Sequence, residues 1–233
     1  MMNDVAKKLI PLVAAVLLAG ACSTKADDAD PLEGYNRVMF DINHGLDTVL
    51  IKPVAQGYRF ITPAPIRTRI GNVSDNLYEP VNMVNAFLQG DFEQGSRNFF
   101  RFLINSTVGL AGLHDVATEA GIPAHSEDFG QTLAVWGVGS GPYLVLPLFG
   151  PSNLRDTSGL VADIFLDPVT YATNTWTNVG IDAGQALVER ERLLDPIDDI
   201  FATSLDPYAS FKSIYEQRRA ADIKNQESSK PNL

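Results

Sequence analysis

Apolar residues first recur in register at Leu32, Tyr35, Met39, Ile42, Leu46 and Val49, at alternating steps of three and four. That spacing predicts one apolar stripe on a helix of roughly 20 residues, ending before Pro53. Its start is marked by Asp30-Pro31, an N-cap acceptor followed by a proline at the first helical position. Glu33 stands where a capping box places its carboxylate. The same signature at Asp167-Pro168, Asp195-Pro196 and Asp206-Pro207 predicts three more helix starts. Asn36, Asn43 and Asp47 fall along one edge of the first stripe, either as a polar boundary at solvent or as the lining of a passage. A short helix is expected from Pro53 through Phe60, closed by Thr62-Pro63-Ala64-Pro65. Ile66, Ile70 and Val73 add a turn or two. Glu79-Pro80 is then expected to open a helix carrying Val81, Val84, Phe87 and Leu88, which Gly90 stops.

The next helix, Asp91 to about Val108, has a different pattern. Phe92, Phe99, Phe100, Phe102, Leu103 and Ile104 cover about half of its circumference, more than a core-facing stripe needs. Either the helix is contacted on two sides within a core, or Phe92, Phe99 and Phe100 meet lipid. Arg97 and Arg101 lie one turn apart on the other face, placed for water or for phosphates. Gly109-Leu110-Ala111-Gly112-Leu113 and Gly121-Ile122-Pro123 make a poor regular helix and read as a mobile hairpin with Gly109, Gly112 and Gly121 as its hinges. Ser126-Glu127-Asp128 caps a helix through Trp136, and Tyr143–Leu146 is the best strand candidate, too brief to imply a sheet. Helices follow from Ser152 to Phe165, from about Asp182 to Leu194, and from Pro207 to about Asn225. The last is expected to turn Tyr208, Phe211, Ile214 and Tyr215 inward, with Arg218 and Arg219 near its C-terminal dipole. Residues 226–233 read as a disordered polar tail. The fold class is all-α, one domain of several amphipathic helices over residues 30–225.

Upstream of that domain, Lys7 and Lys8 precede an apolar run from Leu9 to Ala19, then Gly20-Ala21-Cys22. A basic segment, a short apolar run and small residues form a secretory signal over residues 1–21, too short for a membrane span. The cysteine directly after Gly20-Ala21 resembles a bacterial lipobox, with Ala19 where leucine is usual. Cys22 is then the lipid attachment site, 22–29 a polar linker, and Ser23 in the next position permits sorting to the outer membrane. The alternative is a plain exported protein whose Cys22 is accidental. Cys22 is the only cysteine, so no disulfide and no cysteine-ligated metal is expected.

Removal of residues 1–21 takes away Lys7, Lys8 and Asp4, and shifts the formal charge from −10 to near −11. So acidic a chain argues against nucleic acid and against simple attachment to anionic lipid. Catalytic chemistry has weak support. His44, His114 and His125 lack zinc-ligand spacing, and Gly137-Val138-Gly139-Ser140-Gly141 is neither GxSxG nor, with Pro142 following, GxGxxG. A triad of Ser140 with His114 or His125 and Asp115 or Asp128 would rest on geometry alone. No metal, no cofactor and no enzymatic activity are expected.

Several separated blocks resemble the MlaA/VacJ family of outer-membrane lipoproteins. They are Asp30-Pro31-Leu32-Glu33-Gly34-Tyr35-Asn36-Arg37, Asn76-Leu77-Tyr78-Glu79-Pro80, Leu88-Gln89-Gly90-Asp91 and Glu127-Asp128-Phe129-Gly130-Gln131-Thr132. Asn85, Arg101-Phe102 with Asn105, Gly139-Ser140-Gly141-Pro142-Tyr143, Leu146-Pro147, Gly150-Pro151 and Arg155-Asp156 complete the set. The resemblance implies a ring-shaped helical protein, lipid-anchored on the periplasmic face of the outer membrane. It also implies an amphipathic passage for phospholipids of the outer leaflet, association with a porin trimer, and delivery to a periplasmic lipid-carrier protein. On that footing Asn36, Asn43 and Asp47 become candidates for the passage lining, Gly109–Gly121 for its flexible hairpin, and Phe92, Phe99 and Phe100 for acyl-chain contact. A lipoprotein that scaffolds porins without transport, and a lipid-modifying enzyme, are the other classes.

Overall fold

The computed structural model describes residues 30–229, with side chains through residue 224. The signal sequence, Cys22 and the 22–29 linker lie outside the described residues. The elements are α1 (Glu33–Leu46), a π-turn (Asp47–Ile51), α2 (Lys52–Ile61), α3 (Ala64–Leu88), α4 (Phe92–Thr107) and α5 (Val116–Glu119). They continue with α6 (Phe129–Val135), β1 (Tyr143–Leu146), β2 (Gly150–Asn153), α7 (Leu154–Leu166), α8 (Pro168–Ala172), α9 (Thr175–Arg192), α10 (Leu194–Thr203) and α11 (Pro207–Ser229). Packing runs in a closed circuit. α1 leads through the π-turn to α2, α2 lies against α9, α9 against α3, α3 against α6, and α6 against α11; α11 then meets β2, and β1 returns to α1. The result is an all-α ring with one small antiparallel hairpin, in which Tyr143 faces Asn153 and Leu146 faces Gly150.

The departures from the sequence reading have local causes. Pro53 does not break the first helix, because the π-turn takes up one extra residue and places Pro53 in the opening turn of α2, where a missing N–H costs least. Pro80 does not open a helix but sits inside the 25-residue α3. Its neighbours Asn76, Glu79, Asn82 and Asn85 are buried there, so tertiary contacts override the local penalty. Asp195 lies within α10 with no capping bond, and its carboxylate instead accepts from Arg59 Nη1 at 2.8 Å. Glu33 is engaged by Arg37 Nε at 2.8 Å, not in a capping box. Asp167, by contrast, caps α8 as expected, its side chain accepting from Val169 N. α9 begins seven residues earlier than Asp182, at Thr175, with Asn174 as its cap. The Tyr143–Leu146 strand finds a partner in Gly150–Asn153, so there is a sheet after all. α11 runs on to Ser229, so of the 226–233 tail only 230–233 lie outside the described residues, and Ile214 is exposed where an inward position was expected.

Polar and apolar residues have exchanged their usual places. Among the described residues, Asn36, Asn76, Glu79, Asn82, Asn85, Gln89, Asn98, Arg101 and Asn105 are all buried. Apolar burial is sparse, gathered mainly at Tyr143, Val145 and Tyr208 with Met39, Phe40 and Tyr215 around them. α4 shows the inversion within one element. Gly95, Asn98, Arg101 and Asn105 recur at helical spacing on its buried face, while Phe92, Phe99, Phe100 and Leu103 stand exposed.

Candidate functional site

The exposed apolar surface is the first component. Phe92 is 70% exposed, Phe99 45% and Phe100 51%, and Phe60 on α2 reaches 91%. Val49, Leu50, Ile61, Ile66 and Ile70 carry the surface along the π-turn and the first turns of α3. Tyr171 and Trp176 extend it at the α8–α9 turn, and Leu148 and Phe149 at the hairpin tip. So many exposed large apolar side chains on a chain with so polar an interior mark a surface built to meet something apolar. No helix among the described residues is long and apolar enough to cross a membrane.

The polar interior is the second component. Arg101, which the sequence placed on an open face, is buried between α3 and the loop after α4. Its Nε donates to Glu79 Oε1 at 2.6 Å, Nη1 to Thr118 Oγ1 and the Ile122 carbonyl, and Nη2 to Asp115. Burial pushes the Glu79 carboxyl above the ordinary carboxylate range, against the pull of Arg101. Burial acts the same way on Asp115, but hydrogen bonds from Thr118 and Asn105, with Arg101 beside them, hold it below that range. The second network joins α6, α7 and α11. Arg219 donates to both oxygens of Asp128 at 2.5 and 2.6 Å and pairs with Asp156 at 2.8 Å. Burial opposes the charge on both carboxylates and Arg219 outweighs it, lowering each. Arg219 is thus held by two acids in mid-helix, not by a C-terminal dipole. Asp163 makes no direct ion pair among the described residues, and Arg219 acts on it only from a distance. Burial pushes it up to about 6 while Phe129 N and Asn85 Nδ2 donate to it.

The three polar residues along the edge of the first stripe, Asn36 and Asn43 of α1 and Asp47 of the π-turn, are engaged with protein. Asn36 is fully buried, with Nδ2 donating to the Tyr143 carbonyl at 3.0 Å and Oδ1 accepting from Val145 N at 2.8 Å. Asn43 repeats the pattern at the hairpin tip, with the Leu146 carbonyl and Leu148 N each at 2.8 Å. Their seven-residue spacing matches two helical turns, so both amides read one strand edge. Asp47 accepts two bonds from Arg190, at 2.7 and 2.8 Å. The sequence showed the stripe but gave no sign of its partner.

The glycine-rich segment is a folded turn closed by backbone bonds. Leu110, Ala111 and Gly112 are left-handed in succession, and Gly112 N donates to the Asn105 carbonyl at 2.8 Å. A Cβ at Gly112 would lie 2.7 Å from Asn76 Cβ, and one at Gly109 would lie 2.3 Å from the His114 carbonyl. Gly121 has φ +87° and open space around it. Residues 116–119 between them form α5, capped by Asp115.

The residues of the conceivable triad are dispersed among other partners. His125 pairs with Glu127 at 3.1 Å, while Asp115 and Asp128 belong to the two arginine networks. No group of three or more His, Cys, Asp or Glu is placed to hold a metal among the described residues. Missed by sequence reasoning were the exposed Leu148-Phe149 tip and the buried amides of α3. The buried face of α4 opposite them left a trace, since Asn98, Arg101 and Asn105 form a polar stripe as regular as any apolar one.

The family model described as MlaA lipoprotein matches residues 28–222. A protein of Escherichia coli K12, called intermembrane phospholipid transport system lipoprotein MlaA, is 40% identical over 87% of this chain and 82% of its own. The protein of that name from Haemophilus influenzae is 30% identical over 90% and 87%. An uncharacterised protein of Rickettsia typhi is 37% identical over 86% and 80%. A chain solved in work on the structural basis for maintenance of bacterial outer membrane lipid asymmetry superposes with a TM-score of 0.75 at 40% identity, covering 84% of this chain and 99% of that one. This chain belongs to the MlaA lipoprotein family.

Proposed function

We propose that this protein is an outer-membrane lipoprotein, anchored through Cys22, that takes mislocalised phospholipids out of the outer leaflet and passes them to a periplasmic carrier, maintaining lipid asymmetry. The single observation that carries the reading is the inversion of polarity. A ring with an apolar outside and a hydrogen-bonded interior is stable where acyl chains cover its surface, and such a ring offers polar partners to a headgroup in an apolar setting. The similar proteins named for phospholipid transport support the same reading. A porin trimer is the proposed membrane partner, contacting part of the exposed belt. No step calls for a cofactor or bond chemistry.

The test is surface-exposed phospholipid on intact cells lacking the protein, complemented with wild type or Cys22→Ala. Raised exposure cured only by the anchored form is the expected result. Unchanged exposure in a strain without a redundant system would favour a porin scaffold instead. The turn at Gly112 is proposed to be part of the passage. Gly112→Val combines a β-branched residue at φ +89° with the contact to Asn76, a strain of about 1–3 kcal/mol. Surface phospholipid should rise in that strain at unchanged protein level; wild-type traffic would remove the turn from the path.

A further inference from the structure

The π-turn borders a cavity of about 400 Å³ lined by His44, Asp47, Thr48, Lys52, Ile197, Asp198, Phe201 and Ala202. Its walls differ in character. Ile197, Phe201 and Ala202 of α10 form an apolar side, with the His44 ring stacked on Phe201 at 4.0 Å between centroids. The other side is formed by Asp47 and Thr48 of the π-turn and by Lys52 at the start of α2, and each of the two charged residues there holds an ion pair, Asp47 with Arg190 of α9 and Lys52 with Asp198 of α10. Asp47 and Arg190 form a two-bond pair whose side chains are 19% and 10% exposed. Arg190 Nη1, also buried, has no hydrogen-bond partner among the described residues. Lys52 and Asp198 share a single contact at 2.7 Å, with side chains 30% and 44% exposed.

We propose that this cavity takes the headgroup of a zwitterionic phospholipid, its phosphate on Lys52 and its ammonium on Asp198, in exchange for the Lys52–Asp198 pair. The inference rests on the transport reading and adds the lipid class to it. Charge decides the class. The four ionised groups Asp47, Arg190, Lys52 and Asp198 sum to zero, so a zwitterion leaves the cavity neutral. A headgroup bearing phosphate alone leaves it with an uncompensated negative charge beside two carboxylates. The exchange is asymmetric for a structural reason. A half-exposed single contact opens at little cost, whereas the more sheltered two-bond Asp47–Arg190 pair stays closed as the wall. The apolar side of α10 then receives the glycerol and the first methylenes. The π-turn makes the arrangement possible, because its extra residue sets Asp47 and Lys52 on one side while Val49 and Leu50 point out.

The full-length acylated protein in detergent micelles is titrated with dihexanoyl-phosphatidylethanolamine and dihexanoyl-phosphatidylglycerol by calorimetry. Phosphatidylethanolamine should bind about tenfold more tightly, and Lys52→Gln or Asp198→Asn should each lower its affinity about tenfold and erase the preference. Lys52→Asp combined with Asp198→Lys should restore it. Circular dichroism should be unchanged in all three. Equal affinity for the two lipids, or a Lys52→Gln protein that still prefers phosphatidylethanolamine, overturns the headgroup site and leaves the transport reading standing. Binding of neither lipid overturns both. Free phosphoethanolamine should bind at least about tenfold more weakly than the lipid; equal binding would assign the cavity to a soluble phosphomonoester and overturn the lipid headgroup.

Discussion

Arg101→Met should lower the unfolding free energy by about 4 kcal/mol, the cost of stranding a buried charge by removing its partner. Glu79 and Arg101 are each only 3% exposed at the side chain, so water cannot replace the lost contact. Thr118, Asp115 and the Ile122 carbonyl lose the same donor, so the loop after α4 keeps only the ties that run through other residues, chiefly those of Asn105 to Asp115 and Ala117. For a domain of this size, each kcal/mol lowers the melting temperature by about 2–4 °C, and thermal unfolding in detergent should drop by about 8–16 °C. Arg101→Lys keeps the charge but replaces a planar fork with one ammonium, which cannot reach four acceptors; it should fall between. Arg101→Met with Glu79→Leu should recover part of the loss, because two buried groups leave together. A single variant within about 1 kcal/mol of wild type would mean that the network adds nothing to stability.

Gly159→Ala is the second large effect, and its sign is not the one helix propensity suggests. Alanine in a helix interior gains about 1 kcal/mol over glycine. Here its Cβ would stand 2.3 Å from Gly130 N and 2.6 Å from Gly130 Cα, both backbone atoms of α6. α6 and α7 would have to move apart, at a cost of about 3 kcal/mol for overpacking a close crossing. That movement also pulls on the Arg219 pairs, which join Asp128 at the start of α6 to Asp156 on α7. The net loss is about 2 kcal/mol, or about 4–8 °C. Gly184→Ala in α9, with nothing within 4 Å of the added carbon, should instead raise the midpoint slightly. If both alanines behaved alike, the crossing would not be as close as described.

What could be read from the chain divides along physical lines. Helices announced by a side chain acting on its own backbone were legible, as at Asp91 and Asp128, each of which caps a helix as the local sequence suggests. Features set by distant partners were not. Pro80 reads as a helix start because proline's local cost is visible, whereas the buried amides around it in α3 belong to contacts with α4, α6 and α7. Arg101 reads as a surface residue because arginine opposite a phenylalanine face usually is one. The wide apolar wheel of α4 was the clue that the usual assignment of faces fails here. Gly109–Gly121 shows the reverse limit: glycine content signalled irregular backbone, but not that Asn76 and Asn105 hold its turns in place.

The inverted amphipathicity of α3 and α4 also makes the surrounding solvent a component of the fold. Phe60, Phe92 and Trp176 gain nothing from folding in water, since they remain exposed when the chain is folded. Their contribution arrives only when amphiphile covers them, which couples folding to amphiphile concentration by mass action. The melting temperature should therefore climb with micelle concentration even at constant protein, and a value measured in plain buffer would describe a different equilibrium. On the export route proposed above, a chain crossing an aqueous space would face the same problem, and would need an escort to shield these side chains until a membrane did.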